Sequence, residues 1–213
     1  MDDITQRDIE QRQIGDAWRR IESWLSVHAP GTLDRLIDGA SESQLSSFGG
    51  SIGVRIPVGL KELWRQRAGS GPDLMIPFMP GPCLLMSLDV AQRVYQRKMA
   101  AQTRRGSAAE RVSDGHEPVT IWRAAWIPFG ANDVDALSGL LLDAETGKIW
   151  EWDETPTRTL RYDSLTEYVE EMADVLEVPS LAVGDRPGLM DGQLWWGEPE
   201  NPSERAQWEP FTG

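Results

Sequence analysis

The run LSGLLLD at residues 137–143 constrains this chain more than any other segment. It is apolar at successive positions, so a strand built from it has no face to offer to water. Such a strand belongs in the centre of a sheet covered on both sides. The flanking segments supply its neighbours: Ala124–Phe129, Lys148–Trp152 and Arg158–Tyr162 read as further strands. Ala144-Glu145-Thr146-Gly147 reads as a hairpin loop, with Gly147 accepting a positive φ. Upstream, Leu74-Met75-Ile76 and Cys83-Leu84-Leu85-Met86 are short apolar runs bounded by Pro and Gly, again strand-like.

The remaining periodic segments repeat every three or four residues. Ile14, Trp18, Ile21, Trp24 and Leu25 put an apolar stripe on a helix over 6–28, which Pro30-Gly31 stops. Thr32 is read as the cap of a short helix through Leu33, Leu36 and Ile37 that ends at Gly39. Ser41 begins a third helix, with Leu45 and Phe48 before Gly49-Gly50. Pro57 opens a fourth, with Val58, Leu60, Leu63 and Trp64 inward, closed by Gly69-Ser70-Gly71-Pro72. Ser87 and Asp89 launch a helix through Val90, Val94, Tyr95 and Met99. Ser164 and Glu167 form a capping box ahead of Leu165, Tyr168, Val169, Met172, Val175 and Leu176, and Pro179 ends that helix. Helices, then strands in hairpin order, then a helix describe an α+β domain with a mainly antiparallel sheet. Its expected extent is 1–179, with a polar insertion loop at 102–118. The Gly/Pro/Trp-containing stretch 180–213 is expected to be an extended C-terminal tail.

With 213 residues the chain has the size of one domain with an appendage. The start MDDITQRDIEQ has no apolar signal-like core, and no apolar run approaches the ~20 residues of a membrane span. The single cysteine, Cys83, cannot form an internal disulfide, which suits a reducing compartment, so a cytoplasmic location is expected. Net charge is -13 but unevenly distributed. Residues 1–132 carry 16 basic and 15 acidic side chains, whereas 133–213 carry 5 basic and 19 acidic. The acidic half repels phosphate backbones and anionic lipid, so neither nucleic acid nor membrane is expected as a partner; a basic protein is favoured. The plainer explanation of the same charge is solubility.

Chemistry-bearing motifs are few. His28 and His116 pair neither with Cys83 nor with each other at zinc-like spacing, and no Gly-rich phosphate cradle is present. Asn132-Asp133-Val134-Asp135 begins like a calcium loop, but counting from Asp133 the twelfth position is Ala144 where a bidentate Glu is required. No catalytic residue, metal site or cofactor is therefore expected. Asp133, Asp135, Asp143, Glu151 and Asp153 remain as carboxylates at strand ends. They suit a protein-binding patch or a solvated face, and only as a distant third a paired-carboxylate hydrolase. Trp122 and Trp152 are either core residues or aromatic anchors beside those carboxylates, where an Arg- or Lys-rich partner would find cation–π and ion-pair contacts.

An ordered set of short motifs points further. A W-x-x-I-E-x-W-L helix (Trp18 to Leu25) precedes Gly39-Ala40-Ser41. There follow Ile52-Gly53 through Pro57, Leu60, Lys61 and Leu63, then Gly69. Trp126–Gly130 (WIPFG), the apolar strand ending in Asp143, Gly147 and the Ser164–Tyr168 segment complete the order. Over residues 14–178 the chain resembles the SUKH superfamily, the Smi/Knr-type cell-wall-assembly-regulator proteins. The resemblance implies a central sheet wrapped by helices and no enzymatic activity. It also implies, for bacterial members, an immunity protein that binds a cognate toxin domain, and for fungal relatives, regulation of cell-wall synthesis. Two functions follow as expectations. One is an intracellular inhibitor contacting a basic toxin domain through Trp122, Asp133, Asp135, Asp143, Glu151, Trp152 and Asp153. The other is a regulatory scaffold reaching a host protein through 180–213.

Overall fold

A computed structural model describes residues 3–72, 77–81, 83–111 and 120–213. The strand expected at Leu74–Ile76 and most of the polar stretch after Arg111, His116 included, lie outside the described residues.

Helix α1 (Asp3–His28) buries its whole predicted stripe, Ile14, Trp18, Ile21, Trp24 and Leu25. A single turn, α2 (Pro30–Leu33), follows, and the chain then extends as β1 (Leu36–Asp38). The helix expected through Leu36 and Ile37 is corrected here: these residues pair antiparallel with β2 (Arg67–Ser70), Leu36 opposite Ser70. Thr32 does not cap α2, whose N-cap position is Ala29; its hydroxyl is buried and used elsewhere. A pairing partner some thirty positions on outweighs local helix propensity.

Between these strands run α3 (Glu42–Ile52) and α4 (Val58–Gln66). The Gly39-Ala40-Ser41 segment now has a physical account. A Cβ on Gly39 would lie 1.8 Å from the Arg65 carbonyl oxygen, so only glycine lets the chain pass the end of α4. Ala40 is buried and its N–H donates to Trp64 O at 2.8 Å. Ser41 and Gln44 form a reciprocal capping box. α3 continues through Gly49-Gly50, where a stop was expected, and ends at Gly53 in the left-handed region at φ 68°.

After β3 (Leu84–Leu85), Ser87 Oγ accepts from Val90 N at the start of α5 (Leu88–Arg111). Residues 102–111, expected in a loop, therefore belong to a helix. Their Gln, Arg, Ala and Glu content favours helix, and polarity alone does not break one. The main sheet is completed by β4 (Trp126–Ala131), β5 (Gly139–Asp143), β6 (Ile149–Trp152) and β7 (Thr159–Tyr162). Its order is β3-β4-β5-β6-β7, all antiparallel, so the LSGLLLD strand is central as its apolarity demands. The Asp143–Lys148 hairpin turns through Gly147 at φ 75°.

Helix α6 (Leu165–Glu177) starts at Ser164, whose Oγ accepts from Glu167 N at 3.1 Å. Glu167 reaches back to Asp163 N rather than to Ser164 N, so the capping box is displaced by one residue. The six predicted inward residues of α6 are all buried, and the helix packs against α1. Beyond a 3-10 turn at Pro179–Leu181 come β8 (Pro187–Met190), β9 (Gln193–Trp196), α7 (Pro202–Arg205) and β10 (Glu209–Pro210). Their strands form a sheet of order β10-β8-β9. This segment does not lack a core face. Leu194 and Trp196 are buried in the main core, and Trp196 Nε1 donates to Phe78 O at 2.7 Å. The architecture is α+β with antiparallel sheets.

Candidate functional site

Successive hairpins of an antiparallel sheet turn at alternate ends, and this sorts the acidic residues. The β4–β5 loop, which carries Asp133 and Asp135, and the β6–β7 loop, which carries Asp153 and Glu154, open at the same end. Ala131 pairs with Gly139, and Gly139 with Trp152. All four side chains are exposed. Asp143 closes the opposite end of β5, four residues from Gly139 or about 13 Å along the strand. It is only 6% exposed, and its Oδ1 accepts from Glu145 N at 3.0 Å, so it builds the hairpin turn and does not face a partner. Glu151 sits mid-strand opposite Leu140 and pairs with Arg161 across to β7 at 3.4 Å. Three of the five predicted carboxylates therefore come together, with Glu154 added.

Both aromatic residues expected as anchors are corrected: Trp122 and Trp152 are each 1% exposed. With Trp126 they form an edge-to-face cluster, centroids 5.6 Å apart for Trp122–Trp152 and 5.8 Å for Trp122–Trp126. The cations that face these rings come from the chain itself. Lys98 Nζ lies 4.5 Å from the Trp152 centroid, and the Arg158 guanidinium is 5.6 Å from Trp122 and 5.5 Å from Trp126. Lys98 also donates to Asp153 O at 3.0 Å. Burial, with Arg158 and Arg97 adding repulsion, pulls the Lys98 pKa down; burial also lowers that of Arg158. Asp153 is held below the usual carboxylate range, first by the Thr155 hydroxyl, which donates to its Oδ1 at 2.6 Å.

The β4–β5 loop stands between two pockets. One, of ≈ 270 Å³, includes Pro72, Leu85, Met86, Asp133 and Val134. The other, of ≈ 230 Å³, includes Arg97, Lys98, Leu137, Asp153 and Arg158. Val134 and Leu137 on the loop are 57% and 44% exposed, an arrangement of apolar side chains among carboxylates. At Ala136 the loop adopts φ 48°, a left-handed conformation uncommon for alanine, and Arg97 donates to the Ala136 carbonyl oxygen.

The described residues supply little for covalent chemistry. Cys83 is wholly buried, and burial pushes its thiol up to about 12, which leaves it protonated and unreactive at neutral pH. His28 packs its ring against Trp24 and Phe211. Among the described residues, no group of three or more His, Cys, Asp or Glu is placed to hold a metal ion, and no helix is long and apolar enough to cross a membrane. Arg97, Lys98 and Arg158 escaped sequence reasoning, because α5 and the β6–β7 loop meet only in three dimensions.

A family model described as SMI1 / KNR4 family (SUKH-1) matches residues 39–171. No curated protein matches the chain. The matched span contains both acidic loops and the whole five-stranded sheet.

Proposed function

The chain belongs to the SMI1 / KNR4 family (SUKH-1), and from that premise we propose that it is an immunity-type protein that neutralises a basic toxin domain by direct binding. Family membership supports a non-enzymatic module that binds protein. The observation that supports the finer reading is the end of the sheet where two loops carry exposed Asp133, Asp135, Asp153 and Glu154 together with exposed Val134 and Leu137. Among the described residues Asp133 and Asp135 have no ion-pair partner, whereas Asp153 and Glu154 lie beside Lys98 and Arg158. Asp163, Asp174 and Glu177 elsewhere in the acidic half are neutralised by Lys148 and Arg20. Unpaired surface charge steers an oppositely charged partner into encounter, and apolar side chains at its centre supply contact area once water is expelled.

The test is co-expression with a candidate toxin domain encoded by an adjacent gene, followed by co-purification at low and high salt. Growth rescue and a one-to-one complex that weakens with salt are expected, with loss of both in Asp133→Lys/Asp135→Lys/Asp153→Lys. A complex unaffected by that triple reversal would remove this surface from the reading.

The alternative is a regulatory scaffold that reaches a host protein through 180–213. Burial of Leu194 and Trp196 in the core weighs against it, since an arm free to reach a partner would uncover them.

A further inference from the structure

In a chain of net charge -13, three cations outnumber the two carboxylates, Asp153 and Glu154, at one pocket. Arg97, Lys98 and Arg158 make no direct salt bridge among the described residues, and they donate to the backbone carbonyls of Ala136, Asp153, Thr155, Thr157 and Ile121. Lys98 donates one N–H, to Asp153 O. Arg158 donates to Thr155 O, Thr157 O and Ile121 O, while its Nε is buried with no acceptor. A guanidinium has five N–H groups, so this one retains unspent donors. Elsewhere in the molecule arginines meet carboxylates, as Arg20 does with Asp174 and Glu177, and Arg67 with Glu22.

We infer that the pocket between α5 and the β6–β7 loop binds a carboxylate group. Charge sets the class. The described residues lining it are three cations against Asp153 and Glu154, a net of +1, which one negative charge neutralises and a dianionic phosphate overshoots. Lys98 and Arg158 are both half-buried, where the positive charge left over after Asp153 and Glu154 is costly and gains from a further anion. Burial first, then repulsion from Arg158 and Arg97, pulls the Lys98 pKa down against the opposing attraction of Glu154 and Asp153. Size and wall chemistry narrow the ligand further. The volume is ≈ 230 Å³ and Ala101, Ile121 and Leu137 add apolar surface, so a small carboxylate with a short aliphatic body fits. Such a group is either a free branched short-chain acid or the C-terminus of a protein chain. This goes beyond the toxin-binding reading and does not depend on it.

The Trp122–Trp152 cluster beneath the cations reports occupancy. Isovalerate, its neutral amide, and acetyl-Gly-Gly-Leu with a free or an amidated C-terminus are titrated into the full chain at constant ionic strength. Tryptophan fluorescence and indole N–H shifts are followed. Saturable binding of both free carboxylates is expected, with dissociation constants on the order of millimolar or below and no response to the amides. Lys98→Gln, or the exposed Arg97→Gln where the first variant folds poorly by circular dichroism, is expected to weaken binding about tenfold. A peptide that binds about tenfold tighter than isovalerate identifies a chain terminus as the source; equal affinities identify a free acid. No saturable response, an equal response to the amides, or binding unchanged in the folded variants overturns the inference.

Discussion

The backbone N–H of Leu194 donates to the Thr32 hydroxyl at 2.9 Å, and both residues are wholly excluded from water. Gly31 N donates to Gly192 O at 3.0 Å alongside it, so β9 is tied to the turn that ends α1. Thr32→Val keeps the shape but leaves a buried donor unpaired. A loss of about 1–3 kcal/mol in urea denaturation is expected. Removal of 180–213 is expected to abolish cooperative unfolding, because Leu194 and Trp196 leave the core.

Asp143 and the loop carboxylates should separate cleanly by measurement. Asp143→Ala is expected to cost about 1–2 kcal/mol, because Glu145 N loses its acceptor at the hairpin turn and the turn loses a buried side chain. Asp133→Lys/Asp135→Lys alters exposed, unpaired groups and is expected to change stability by less than about 0.5 kcal/mol. Thermal and urea unfolding of the two variants, side by side, checks both.

Gly139 opens the central strand at φ 155°, and a Cβ there would lie 2.0 Å from the Gly130 carbonyl oxygen. Gly139→Ala must therefore both strain its backbone and push β4 away. A loss of about 3 kcal/mol or more is expected, read as a lowered denaturation midpoint.

Stability should fall on the alkaline side in two stages. Burial raises Cys83 from 9.0 to about 12 and Tyr162 from 10.0 to about 12, and it pushes Tyr168 higher as well. A group raised in the folded state keeps its proton while the unfolded chain loses it. Its contribution is whole below the unfolded value and declines as pH rises through the window up to the folded one. Melting temperature is therefore expected to begin falling near pH 9 and more steeply above 10. Cys83→Ala should flatten the first stage and leave the second.

Much of the α+β architecture was legible. Ile14 through Leu25 and Leu165 through Leu176 repeat with the helix, and each predicted residue is buried. Ser41 and Ser164 announce helix starts through hydrogen bonds within four residues of chain. The apolarity of 137–143 placed that strand at the sheet centre. The failures have two causes. Leu36–Asp38 reads as a helix until Arg67–Ser70 is present to pair with it. The 102–111 segment reads as a loop by polarity alone, although its composition supports helix.

The candidate site was legible only in part. That Asp133, Asp135 and Asp153 share an end of the sheet follows from hairpin order, which the turn signals already contained. The burial of Trp122 and Trp152 under Lys98 and Arg158 did not follow, because it depends on how α5 crosses β4 and the β6–β7 loop.

The sequence by itself determined the strongly periodic helices, the central apolar strand, and the concentration of negative charge after residue 132, because periodicity, caps and composition are local properties. Only the tertiary structure decided that Asp143 is buried in a turn, which tryptophans are core, and that Arg97, Lys98 and Arg158 converge on one pocket. It also decided that Leu194 and Trp196 are buried in the main core. Those outcomes rest on pairing and burial between segments far apart in the chain, where the free energy comes from surfaces that meet only after folding.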